Sequence, residues 1–150
     1  MRERDRVRPP KDLEKVLDDL KEDKVFETKQ KGMMFAAGVG FYLHRKEVDS
    51  VEVEPKGEGI RLEYFGGQTD DMSFIDALAV ATKADLSVLS QERQAERIDL
   101  FEKYAMLGLQ ELKKVCYDDR PTDPLLGILA LVDRLNRTGI DLLPGLKEML

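Results

Sequence analysis

Apolar positions along the chain recur at two spacings, and the change from one to the other divides it into elements. From Lys11 to about Glu22 the apolar residues Leu13, Val16, Leu17 and Leu20 fall on one helical face, with Pro10 suited to the first turn. Asp23–Glu27 turns the chain. Thr28 then predicts an N-cap for a second helix running to about Arg45, whose middle, MMFAAGVGFYL, is almost wholly apolar and therefore suits a central, buried helix. Between Val48 and Phe65 the spacing shortens to two: Val51 and Val53, then Ile60, Leu62 and Tyr64, with EPKGEG between them, predict a small β-hairpin over 48–65.

The helical spacing then returns. GGQTDD (66–71) is a loop, Ser73 predicts a cap for a helix over Phe74 to about Ala84, and Leu86–Leu89 makes one further turn. Ile98, Phe101, Ala105, Leu109, Leu112 and Cys116 predict a long helix over five turns. Asp118–Thr122 breaks it. Asp123 with Pro124 predicts the start of a last helix over Leu125–Leu135, ending near Asn136 and Gly139, and the tail DLLPGLKEML suits a short helical lid. The expected fold is mainly α: about five helices around a buried central helix, with one small β-hairpin. It forms one domain over 1–150, divided into an arm (1–9), a core (10–136) and a lid (137–150).

The length of 150 residues supports a core without staples, and 42% apolar with 36% charged residues fits a well-solvated globular chain. One cysteine excludes an internal disulfide and the multi-cysteine zinc patterns, and one histidine excludes a His–His metal pair, so neither cofactor nor metal is expected. The N-terminus is charged where a signal peptide needs an apolar core, and no apolar run is long enough to span a membrane, so the expected compartment is the cytoplasm.

Charge is uneven. Arg2, Arg4, Arg6, Arg8 and Lys11 against Glu3 and Asp5 give the first eleven residues a net of +3, leaving −9 on the rest of a chain whose total is −6. In an extended arm the four arginines share a face, which suits a DNA groove or phosphate backbone. These five residues are the candidate DNA contacts; the plain alternative is a frayed, solvated terminus.

Other candidates carry less chemistry. Gly38-Val39-Gly40 lacks the third glycine and the preceding strand of a dinucleotide loop. Gly32, Ala36 and Gly40, four apart, instead predict close helix packing, within the chain or across a homodimer. Glu22-Asp23-Lys24 and Glu111-Leu112-Lys113 have the Glu-x-Lys spacing of metal nucleases but fall on helices, and Asp70-Asp71 and Asp118-Asp119 are loop pairs, so no catalytic residues are assigned. His44 near a helix C-terminus and Cys116 on an apolar stripe suit structural roles. In the tail, Leu142, Leu143, Leu146 and Leu150 could dock a partner subunit.

The stretches VFETKQKGMMFAAGVGFYLHRKEV (25–48) and FEKYAMLGLQELKK (101–114), with the DPL of Asp123–Leu125, resemble the small accessory proteins of bacterial dnd systems. The resemblance spans about Arg6 to Leu135. It implies a role beside DNA phosphorothioate modification and the linked restriction of unmodified DNA, in defence against foreign DNA. The enzymatic work would be done by other subunits. Two functions are therefore expected to compete: a non-enzymatic DNA-binding accessory, and an adaptor that docks a larger defence enzyme without touching DNA.

Overall fold

The computed structural model describes residues 3–66 and 70–142, and side chains as far as Arg137. Arg2, Leu143, Leu146 and Leu150, and the side chain of Leu142, lie outside the described residues. Within them, five α-helices and one two-stranded sheet are arranged as β1 (Arg6–Val7), α1 (Lys11–Glu22), α2 (Lys29–His44), β2 (Ile60–Arg61), α3 (Met72–Lys83), α4 (Gln94–Lys113) and α5 (Pro124–Leu142). Short 3-10 turns cover Arg45–Ser50, Leu62–Phe65, Leu86–Leu89 and Gln91–Arg93, and a π turn, Lys114–Asp118, extends α4.

The mainly α class with one small antiparallel sheet is as expected, but the centre is α4 and not α2. Fourteen of the twenty α4 residues are buried against six of sixteen in α2. Although the middle of α2 is apolar, Met34, Phe35, Phe41 and Leu43 are only partly covered, and Tyr42 is exposed. Three polar residues of α4, Gln94, Arg97 and Glu102, are buried because each has internal partners. Arg97 reaches Asp76 on α3 and the carbonyls of Val88 and Ser90, tying α3 and the 3-10 turn to α4.

Small residues set the closest helix contact. A Cβ at Gly40 would strike the Tyr104 carbonyl, and one at Gly108 would strike the Ala36 carbonyl, so α2 and α4 touch backbone to backbone. Gly32 packs on Leu17 of α1 and on Phe26. The Gly32, Ala36, Gly40 stripe is thus consumed within the chain, which leaves any dimer to other surfaces.

Capping fixes several boundaries. The Thr28 side chain accepts from the Lys31 amide at 3.1 Å, and Asp123 accepts from the Leu125 amide at 2.9 Å. Ser73 is not the cap of α3: it lies inside the first turn and donates its hydroxyl to Asp70. Helix α5 runs past Gly139 to Leu142, because a helical glycine costs only about 1 kcal/mol and an Asp133–Arg137 pair at 2.7 Å spans the preceding turn.

The sheet pairs different segments from those expected. Val51–Val53 forms no strand, and β2 pairs with the N-terminal arm, Arg6 opposite Arg61 and Val7 opposite Ile60. The loop before β2 lies antiparallel to the arm: the Lys11 amide donates to Pro55 and the Gly57 amide to Pro9. The loop follows the arm instead of turning straight back on itself as a hairpin.

Candidate nucleic-acid interface

Helix α4 holds the N-terminal arm in place. The Gln94 side chain accepts from the Arg4 amide at 2.8 Å and donates to the Arg4 carbonyl at 2.9 Å, a two-point clasp on the backbone. Two turns further on, Glu102 accepts from the Arg8 amide at 2.6 Å. The Glu102 carboxylate is buried, and burial pushes its pKa above the usual range against the opposing pull of Lys56 and the Arg8 amide.

Docking redistributes the arginine row. The Arg4 guanidinium pairs with Asp99 at 3.2 Å, and the Arg8 guanidinium donates to the carbonyls of Gly57 (2.7 Å) and Lys56 (3.4 Å). Both are half-buried and turned to the protein. The row therefore does not present one free face: the regular strand is two residues long, and alternation holds only across it. Lys11 is exposed at the start of α1, outside the groove described next.

Arg6 is the arm cation that points outward. In an antiparallel pair, directly opposed residues project to the same face. Val7 and Ile60 face the core, and Arg6 and Arg61 face out side by side. Like charges directly opposed destabilise a sheet by about 0.2–1 kcal/mol, a cost that a bound anion would reverse. Arg61 touches Glu63 at 3.2 Å in an exposed pair of little strength, whereas Arg6 and Lys21 have no ion-pair partner among the described residues.

These side chains line a groove of about 410 Å³ bounded by Arg6, Lys21, Thr28, Lys29, Gln30, Gly59, Ile60, Arg61 and Tyr64. Four lining residues are basic, and no carboxylate lines it among the described residues. Lys29 is balanced by Glu14 at 3.3 Å and Asp18 at 3.2 Å, so the uncompensated charge lies on Arg6, Lys21 and part of Arg61. The N-terminus of α2 opens onto the groove with no acidic residue in its first turn, which adds the positive end of a helix dipole. Glu14 shapes the lower wall by accepting from the Glu58 and Gly59 amides at 2.9 and 2.7 Å.

Tyr64 completes the groove. It lies in the 3-10 turn after β2, is 58% exposed, and makes no aromatic pair among the described residues. The arrangement offers an anion two guanidinium groups and an ammonium beside an exposed tyrosine. Among the described residues, Arg6 alone of the expected DNA contacts enters it. Lys21, Arg61 and Tyr64 carry no site signal in the sequence; Arg61 and Tyr64 stand in the alternating segment, where Tyr64 counts as an apolar position of the expected hairpin.

The remaining candidates are structural. His44 closes α2 with its Nε2 2.8 Å from Glu111, which also accepts from Arg134 of α5 at 3.1 Å. Burial pushes the Glu111 pKa up, but these hydrogen bonds outweigh it and hold the carboxyl below its usual range. Cys116 is buried and its thiol is pushed up to about 11 by burial. Asp23, within the first Glu-x-Lys triplet, accepts the Tyr117 hydroxyl, and Lys113, within the second, pairs with Asp118. Among the described residues no cluster of three metal-ligating side chains forms. No helix among them is long and apolar enough to cross a membrane.

The sequence profile of the family described as DNA sulphur modification system-associated protein 4 matches residues 6–138. The chain belongs to that family. It is therefore associated with the DNA sulphur modification (dnd) system, and the matched span begins at Arg6 and takes in every residue of the groove. No curated protein and no solved structure matches the chain.

Proposed function

We propose that the protein is a non-enzymatic accessory of the DNA sulphur modification system that binds DNA through the groove between the β1–β2 sheet and the start of α2. The observation that carries this reading is the opposed pair Arg6 and Arg61, two cations held on one face at a cost to the sheet. An acidic chain that brings Arg6, Lys21 and Arg61 to one groove, with no carboxylate in its lining among the described residues, has a local field for phosphate where its overall charge of −6 has none. The family supports a task beside DNA, and the arm proposed from sequence contributes one wall through Arg6.

Fluorescence anisotropy of a short duplex, with and without phosphorothioate links, tests this at two salt concentrations. Binding should weaken with salt, and the double variant Arg6→Ala/Arg61→Ala should weaken it by at least about tenfold and flatten the salt slope. Equal binding by the double variant would overturn the assignment.

The adaptor reading has its own observation: Leu125, Leu126 and Leu129, 48, 51 and 56% exposed, form an apolar face on the first turns of α5. Leu126→Glu/Leu129→Glu should abolish capture by the other purified subunits of the system while leaving DNA binding intact. Undiminished capture would count against it.

A further inference from the structure

We propose that the groove takes an unstacked nucleotide, so that the preferred ligand is single-stranded DNA or a locally opened duplex. This inference rests on the DNA reading and deepens it. The groove differs from a simple phosphate cradle in that the exposed Tyr64 lies beside the cations. The ring face of an exposed tyrosine with no aromatic partner finds nothing to stack on in an intact duplex, whose base faces are covered by their neighbours. It gains from a base that has left the stack.

The cations suit the same ligand. Directly opposed residues of an antiparallel pair have Cα atoms about 5 Å apart, so the guanidinium forks of Arg6 and Arg61 can converge on one phosphate. Lys21, at the end of α1, reaches into the groove from another wall and can meet the phosphate that follows. The volume of about 410 Å³ falls within the range of about 300–1,000 Å³ for sites that enclose a small organic group. Phosphate clamp and stacking face together make a mononucleotide-sized repeat of a strand the natural occupant.

The full-length protein is titrated into three fluorescein-labelled DNAs of one sequence: a 12-mer single strand, its duplex, and the duplex with an unpaired bubble at its centre. The single strand and bubble should bind at least about tenfold more tightly than the duplex. Tyr64→Ala should lower single-strand affinity about 10- to 100-fold, to the level of the duplex, and Tyr64→Phe should keep it. Circular dichroism on the variants confirms the fold, which an exposed side chain leaves intact. Equal binding of all three DNAs with no effect of Tyr64→Ala would overturn the unstacked-base inference and leave the DNA reading standing. Failure of every DNA to bind at low salt would overturn both.

Discussion

Glu102, 2% exposed on α4, holds the Nζ of Lys56 at 2.6 Å while its other oxygen accepts the Arg8 amide. One buried carboxylate thereby joins the arm, the loop before β2 and the central helix. Removing it leaves Lys56 and the Arg8 amide without their partner. Glu102→Ala is expected to cost about 2–4 kcal/mol in urea unfolding. It should also raise the rate of tryptic cleavage after Arg4, Arg6 and Arg8. Wild-type stability in this variant would refute the role.

Two carboxylates of α4 should pull the pH dependence of stability in opposite directions. The Glu111 pKa is lowered, so its contribution is present above the unfolded value and is lost as pH falls through the folded value. The Glu102 pKa is raised, so its contribution is full below the unfolded value and is lost as pH rises through the folded value. Urea midpoints measured from neutral pH downward should fall less steeply for Glu111→Gln than for wild type, and more steeply for Glu102→Gln.

Glycines two residues apart on α2 should respond with opposite signs. A Cβ at Gly38 meets only Phe74, at 3.8 Å, so Gly38→Ala should stabilise by about 0.5–1 kcal/mol through backbone entropy. Gly40→Ala forces α2 from the Tyr104 carbonyl and should destabilise by about 3 kcal/mol or more. Thermal melts of the two variants compare them directly.

The Cys116 thiol, raised to about 11 by burial in the π turn, should resist a thiol reagent at neutral pH in the folded protein. It should react fully in denaturant. Rapid labelling of the native protein would show that this turn opens.

Helices were legible where local chemistry decides. Lys11–Glu22 follows from its apolar face, and Thr28 and Asp123 act as caps, since both the period and the cap lie within a few residues of the sequence they explain. The sheet was not legible. Val7 is a single apolar residue between charges, and its partner Ile60 lies across two helices, so nothing near either residue announces the pairing. Tyr64 was placed on the inner face by counting in twos through Ile60 and Leu62. The backbone enters a 3-10 turn at Leu62, and the count fails there, which swings Tyr64 to the groove and Phe65 to the core. The centrality of α4 was hidden for a related reason: Gln94, Arg97 and Glu102 look solvent-facing until their distant partners are known.

The Arg6–Arg61 pairing also makes the groove a property of the closed chain. Its two arginines meet only after α1, α2 and the intervening loop have folded between them, and in the unfolded chain they drift apart as the ends of a long loop. A strand that bridges them grips the native state and finds no equivalent in the denatured one. DNA would therefore act as a clasp on a long-range junction of the chain, and its binding would be read as resistance to unfolding that begins at the arm.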